Sequence, residues 1–300
     1  MGPDVNATRV VPTFVIAGVQ KCGTTSLFQA LALHPRVVRP DQKELHFFDQ
    51  HWRRGVEWYS AQFPQLEPGQ ITGESTPVYS YNPTARRRMR RTLPEARIIM
   101  VLRDPVARAY SHYWHSRRNQ ETLPTFEQAI DAEPARLADG DPLLRRRFSY
   151  LDRGRYIRQL RPLGRAYGEA LLVTTLEDLN SSPETELARV MTHVGLEPDE
   201  VDEPVMPEVN RYRSMTRSEE RQLKQNGVGS LWRRLLRRDY VVRDRERPPM
   251  DAATRQRLRE HFAESDRRLL QWTGWAKLPW DSLANPNPSP AATDPVAAHE

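Results

Sequence analysis

The chain has 300 residues, 38% hydrophobic and 28% charged, which is enough apolar material for a packed core and too much for a chain disordered throughout. Forty-five Lys and Arg against 39 Asp and Glu leave a formal charge of +6, favouring anionic partners such as phosphates, sulfated glycans, nucleic acid or an acidic membrane surface without choosing among them. A single cysteine, Cys22, excludes an intrachain disulfide and a zinc site built from several cysteines, and points to a reducing compartment.

Residues 1–12, MGPDVNATRVVP, hold no apolar leader and are expected to be mobile. No stretch of the chain reaches the roughly 18 to 20 apolar residues of a spanning helix, so a soluble, cytoplasmic protein is expected. From Thr13 onward, apolar β-rich runs alternate with helical patterns. TFVIAGV at 13–19 precedes TTSLFQALAL, and ITGES at 71–75 precedes PTARRRMRRTL. RIIMVL at 97–102 precedes PVARAYSHYWH, and ALLVTT at 170–175 precedes PETELARVMTHVG. Continuous apolar strands imply burial on both faces, hence an α/β fold of three layers with a central, mostly parallel sheet flanked by helices. Asn82 before Pro83 and Asp104 before Pro105 each put a capping side chain ahead of a first-turn proline. Beyond about residue 200 a Pro-rich stretch leads into a basic, lid-like insertion at about 210–248, then a helix at about 251–272, read together as an appended cap on one domain spanning 13–282. Residues 283–300, rich in Pro, Ala and Asn, are expected to form a disordered tail.

The first strand-to-helix turn, GVQKCGTTSL, concentrates anion-binding chemistry. A helix N-terminus presents free backbone N–H groups and the positive end of its dipole, and Gly23 lets an anion approach. Lys21 adds a point charge, and Thr24, Thr25 and Ser26 add hydroxyl donors. In the ordinary G-x-x-x-x-G-K-[ST] loop the lysine follows the second glycine, whereas Lys21 lies two residues before Gly23; the turn is P-loop-like with its lysine displaced. That displacement argues against a nucleotide triphosphatase, as does the run of IIMVL into Arg103 in place of a magnesium-holding aspartate. The plain alternative is a tight turn in which Gly23 permits a conformation and the threonines cap the helix. Arg103, at the carboxyl end of a strand, and Ser111, two turns into the next helix, suit a second phosphate in the same crevice. Read blandly, Arg103 pairs with Asp104 or Asp49 and Ser111 faces solvent.

Together, GxxKxGTTxL and RDPVARAYSHYW resemble the sulfotransferases that use 3′-phosphoadenosine 5′-phosphosulfate (PAPS). The resemblance implies that Lys21, Cys22, Gly23, Thr24, Thr25 and Ser26 hold the 5′-phosphosulfate, and Arg103 and Ser111 the 3′-phosphate. KELHFFD at 43–49 is similar to a segment of the heparan sulfate branch whose glutamate is the catalytic base, which implies that role for Glu44, with His46 as the alternative base. RGRYIRQL at 153–160 extends the similarity and implies Tyr156 at the nucleotide; RDRERPPMD implies that Arg243 and Arg245 close over it. There are two departures: GESTPVY has Ser75 where the glycan enzymes carry a second active-site lysine, and the disulfide flanking their nucleotide site cannot form.

In sulfuryl transfer an acceptor oxygen attacks sulfur in line while charge grows on the leaving phosphate, which Lys21 would stabilise. A sulfuryl group carries one negative charge where a phosphoryl group carries about two, so no metal is expected, and His112 and His115 have no third ligand at metal spacing. Beside Leu45, Phe47 and Phe48, desolvation is expected to raise the Glu44 pKa towards working pH; on the residues alone Glu44 reads equally as an ion-pair partner of Lys43 or of an arginine. Residues 211–247 hold twelve basic and five acidic side chains, and SLWRRLLRRDY sets Leu231, Trp232, Leu235 and Leu236 opposite paired arginines. That stripe suits an anionic or lipid-linked acceptor and peripheral membrane contact, or simple packing on the core. No nucleic-acid reading module accompanies the charge. The expected activity is sulfation of a carbohydrate or glycosylated metabolite at a hydroxyl or amine. The alternatives are a small-molecule P-loop kinase and a non-catalytic polyanion- or membrane-binding protein.

Overall fold

A computed structural model describes residues 11–119, 121–201, 206–207 and 248–280. The basic insertion with Arg243 and Arg245, the tail at 283–300 and nearly all of 1–12 lie outside the described residues. Among the described residues four strands form one sheet, β1 (Phe14–Gly18), β2 (Gly73–Ser75), β3 (Arg97–Leu102) and β4 (Leu171–Thr175), in the order β2-β1-β3-β4. Every pairing is parallel, with Phe14 opposite both Gly73 and Arg97, and Ile98 to Leu102 opposite Leu171 to Thr175. β1 is buried throughout and β3 from Ile98 on, as continuous apolar runs require of a sheet covered on both faces. Gly73 is a glycine because any Cβ there would collide with the ring of Phe14 on the adjoining strand.

The helices are α1 (Thr24–Leu31), α2 (Gly55–Ser60), α3 (Pro83–Thr92), α4 (Pro105–Asn119), α5 (Phe126–Asp131), α6 (Glu133–Ala138), α7 (Pro142–Phe148), α8 (Ile157–Tyr167), α9 (Leu176–Ser181), α10 (Pro183–His193) and α11 (Ala252–Thr273). Both sequence-predicted caps form. Asn82 accepts from the amides of Thr84 and Ala85, at 2.9 and 3.2 Å, and Asp104 accepts from that of Val106 at 3.0 Å.

The chain leaves β1 towards β2 on one side, then crosses to β3 and β4 on the other, so the strand order reverses between β1 and β3. In open parallel sheets a crevice opens at that reversal, beyond the carboxyl ends of the two strands. The segments following β1 and β3 are Val19–Gly23 and Arg103–Asp104, the two stretches singled out by their chemistry.

α11 departs from the expected appended cap. Its Leu258 and Phe262 join Val106, Tyr113, Phe126 and Tyr150 in one buried cluster, and Leu269 enters the main core. Arg259 forms a two-pronged ion pair with Asp104, at 2.9 and 3.0 Å, at the root of α4. Trp280 is fully buried, its indole N–H donating to Asp266 at 3.0 Å. The sequence periodicity of 251–272 gave the helix, but not the elements against which it packs.

Candidate active site

The turn after β1 is anchored at both ends: the Val19 amide donates to Val101 of β3 at 2.9 Å, and the Leu27 amide donates to Gly23 at 3.0 Å, opening α1. Lys21 (φ 73°) and Gly23 (φ 83°) adopt left-handed backbone. A Cβ on Gly23 would lie 2.6 Å from the side chain of Leu176, so both conformation and space demand glycine. The amides of Thr24, Thr25 and Ser26 have no acceptor among the described residues, as the first turn of a helix leaves them. Amides so placed at a helix N-terminus have the chemistry of an anion cradle.

Cys22 does not belong to it as expected. Its amide is spent on the Val19 carbonyl at 3.2 Å, and its thiol is buried, pushed up to about 12 by desolvation and hence neutral. The hydroxyl-bearing residues also divide, since Thr24 is buried while Thr25 and Ser26 stay partly open.

Arg103 reaches across the crevice, its Nη1 donating to the Lys21 carbonyl at 3.3 Å. The bland pairing with Asp104 does not form, because Asp104 is taken by Arg259 and by the Val106 amide. Ser111 lies buried on α4, two turns beyond Arg103. Tyr156, implied at the nucleotide, uses its hydroxyl to donate to the Arg103 carbonyl at 2.6 Å. Its role in this structure is to fix the backbone of Arg103.

Behind these residues sits buried positive charge with no single local signature. Arg153 donates to Gln20, within the turn, and to the Arg146 carbonyl at 3.0 Å. Burial and then the charge of Arg108 hold the Arg153 pKa down, at about 10. Arg108 is fully buried and donates to the Tyr150 carbonyl, while its Nε and Nη1 find no partner among the described residues. Buried donors without acceptors are costly, and two guanidinium groups behind a cradle make the crevice electropositive. The motif R-D-P-x-x-R contained Arg108, but only the fold shows that it is buried.

The segment Lys43–His51 forms the opposite wall. Leu45, Phe47 and Phe48 are fully buried, with Phe47 stacked on Tyr59 at 4.4 Å and Phe48 edge-on to Tyr79 at 5.1 Å. His46 (φ 50°) turns the chain into a π-helical turn, Phe47–His51. Beneath it, Glu74 of β2 is a buried carboxyl receiving hydroxyls from Tyr59, from Thr76 at 2.8 Å and from Tyr79 at 3.3 Å. Tyr79 in turn accepts the Phe47 amide at 2.9 Å. Burial lifts the Glu74 pKa to about 7 against those hydrogen bonds. Nothing local to GESTPVY announces this role for Glu74, since Tyr59, which donates to it, and Phe47, tied to it through Tyr79, come from another segment.

With its apolar side chains buried, the segment leaves a chain of charges at the crevice. The Lys43 ammonium donates to Thr25 Oγ1 and lies 3.6 Å from Glu44 Oε1. His46 Nε2 lies 3.3 Å from Glu44 Oε2, and His46 Nδ1 lies 3.2 Å from both Asp49 oxygens. The expected rise of the Glu44 pKa is overturned. Burial does push it up, but the His46 hydrogen bond and the Lys43 charge outweigh burial and hold it below the usual carboxylate range. The Glu44 side chain is 40% exposed, so the apolar neighbours in sequence do not surround it. His46 moves the other way: although burial opposes its charge, Asp49 and Glu44 raise its pKa to about 9. An imidazolium has no lone pair for a proton, which removes His46 as the resting base.

The geometry defines a parallel α/β protein whose switch-point crevice faces an anion cradle on one wall and an ionised carboxylate on the other. The sulfotransferase domain profile matches residues 12–271, and the chain belongs to that family. It is 35% identical over 192 residues to heparan sulfate glucosamine 3-O-sulfotransferase 3B1 of Mus musculus, covering 63% of this chain and 47% of that protein. With heparan sulfate glucosamine 3-O-sulfotransferase 6 of Homo sapiens it shares 32% identity over 267 residues, covering 89% of this chain and 73% of that protein. The crystal structure of a sulfotransferase from Alicyclobacillus acidocaldarius superposes with a TM-score of 0.58 at 26% identity, covering 77% of this chain and 98% of that one. The chain spans about half the length of the 3B1 relative.

Proposed function

We propose that this protein transfers the sulfuryl group of PAPS to a hydroxyl or amine of a carbohydrate or glycosylated acceptor. The observation that carries the reading is the Arg103 bond to the Lys21 carbonyl, which joins two anion-binding segments, 82 residues apart in sequence, at one crevice. In this reading Lys21, Gly23 and the amides of Thr24, Thr25 and Ser26 take the 5′-phosphosulfate, and Arg103 and Ser111 take the 3′-phosphate. Tyr156 acts through Arg103. Arg243 and Arg245, outside the described residues, are assigned to closure over the nucleotide on the strength of the family motif alone.

The acceptor oxygen attacks sulfur as the bond from sulfur to the bridging phosphate oxygen breaks. The electron pair stays on the leaving phosphate, where Lys21 stabilises it. Glu44, ionised and open to the crevice, takes the acceptor proton. His46 and Asp49 orient and charge-balance that carboxylate. A carbohydrate acceptor is supported by the relatives named for heparan sulfate; a cytoplasmic setting is supported by the lone, buried Cys22. An anionic or lipid-linked acceptor remains part of the proposal through the basic stretch at 211–247.

The test is to supply PAPS, with a chelator present, alongside N-sulfated and unsulfated oligosaccharides and a lipid-linked sugar, and to follow release of adenosine 3′,5′-bisphosphate together with the sulfated product. Transfer to at least one glycan is expected. Phosphorylation of those acceptors from ATP and magnesium, with PAPS untouched, would reassign the chain to kinase chemistry.

A further inference from the structure

A feature of the crevice is left over once Lys21, Arg103 and Glu44 have roles. Lys43 joins the two walls, because its ammonium donates to Thr25 Oγ1 in the cradle and stands 3.6 Å from Glu44 Oε1. Its side chain is 37% exposed. Burial nevertheless outweighs the pull of Glu44 and lowers its pKa from the ordinary lysine value, so the ammonium is partly stripped of water. A partly dehydrated cation acts more strongly on a neighbouring charge than one in bulk solvent.

The opposite strand lacks such a group. Ser75 is fully buried on β2, beside β1, and its hydroxyl is directed at the Thr24 carbonyl at 3.5 Å. That side chain is too short and uncharged to bring a cation to the cradle. Two segments could deliver positive charge to Thr24 and Thr25, and in this chain the delivery comes from the residue before Glu44.

We propose that Lys43 is a second catalytic cation, contacting the sulfuryl oxygens in transit and standing in for the charge that Ser75 does not provide. The inference rests on the sulfotransfer reading above. The ammonium keeps all its protons throughout. As the acceptor oxygen bonds to sulfur and the sulfur to phosphate-oxygen bond breaks, the acceptor proton goes to Glu44 and the electron pair goes to the leaving phosphate at Lys21. Lys43 balances the charge of the sulfuryl group between them. Placed beside Glu44, it also keeps that carboxylate ionised when the donor arrives.

The experiment compares wild type, Lys43→Met, Lys43→Arg and Lys43→Met combined with Ser75→Lys. Turnover at saturating PAPS and acceptor is measured beside the thermal shift given by adenosine 3′,5′-bisphosphate, which lacks the sulfuryl group. Lys43→Met is expected to lower kcat about 100-fold or more, the typical loss for one transition-state donor, with the bisphosphate shift unchanged. Ser75→Lys is expected to recover at least tenfold of that loss, and Lys43→Arg to stay above Lys43→Met. Near-normal kcat in Lys43→Met overturns the proposal, as does loss of the bisphosphate shift in parallel with kcat, which would make Lys43 a structural tie of the cradle. If the double variant fails to fold, equal kcat in Lys43→Arg and Lys43→Met overturns it instead. The underlying reading stands or falls separately, on whether wild type turns over PAPS and binds the bisphosphate at all.

Discussion

The two walls of the crevice are built differently. On the donor wall, main-chain carbonyls hold the side chains: that of Lys21 holds Arg103, that of Arg103 holds the Tyr156 hydroxyl, and that of Arg146 holds Arg153, which also bonds Gln20. Two of these carbonyls stand just after sheet strands and the third lies on α7, so the wall is set once the fold forms. On the acceptor wall, Lys43, Glu44, His46 and Asp49 hold one another side chain to side chain, and the buried Leu45, Phe47 and Phe48 between them tie the segment to the core. The donor wall is thus preorganised against pH and salt, and the acceptor wall carries the sensitivity to both.

The largest effect expected from breaking this contrast is at Glu44. Glu44→Gln removes the proton acceptor while keeping its shape, and turnover should fall about 10²-fold with bisphosphate binding unchanged. The loss should sit at the low end for general-base catalysis, because a carboxylate held below its usual range is a weak base at neutral pH. A loss of bisphosphate affinity in this variant would show that the walls are not separable.

A smaller effect sharpens the charge chain. For the free enzyme, kcat/KM should rise with pH as Glu44 ionises, below the ordinary carboxylate value, and fall near pH 9 as the imidazolium of His46 loses its proton. His46→Gln removes the hydrogen bond and charge that lower Glu44, so the acid limb should move up and the alkaline limb disappear. An alkaline limb that survives the substitution assigns it to another group.

The smallest effect lies beneath the acceptor wall. Glu74 titrates at about 7 in the fold against 4.5 in an unfolded chain, so the native state keeps a proton that the unfolded state gives up. The stability this supports is complete below pH 4.5 and is lost as pH rises through 7, a difference of roughly 3 kcal/mol at most. Glu74→Gln, which stays neutral, should flatten that slope in denaturant titrations from pH 5 to 9. An unchanged slope would mean that Glu74 is ionised in the native protein throughout. Turnover should respond as well, since Tyr79 carries the tie from Glu74 to the Phe47 amide.

Much of this architecture was legible in the sequence. β3 runs over the six residues read as RIIMVL, and β1 and β4 differ from the expected runs only at their ends, because continuous apolar strands between Gly and Pro signals are strongly marked. That the turn at Lys21 and Arg103 meet was likewise readable, since each stands at the carboxyl end of a strongly marked strand. What escaped was carried by distant partners. Nothing local to Asp104 announces Arg259, 155 residues on, and nothing in KELHFFD tells that Phe47 and Phe48 turn inward while Glu44 stays 40% exposed. The inverted pKa shift of Glu44 follows from that orientation. Arg108 and Arg153 stand within recognisable motifs, but their complete burial depends on the elements that cover them.

The central claim, a dedicated bisphosphate donor site spanning Lys21 and Arg103, is tested most directly by thermal unfolding with adenosine 3′,5′-bisphosphate or 5′-AMP in the presence of a chelator. At about 100 times its Kd the bisphosphate should raise Tm by roughly 5 °C or more, well beyond the shift from 5′-AMP. Arg103→Ala should erase the difference between the two nucleotides. Equal shifts from both nucleotides in the wild type, or an undiminished difference in Arg103→Ala, would contradict the account.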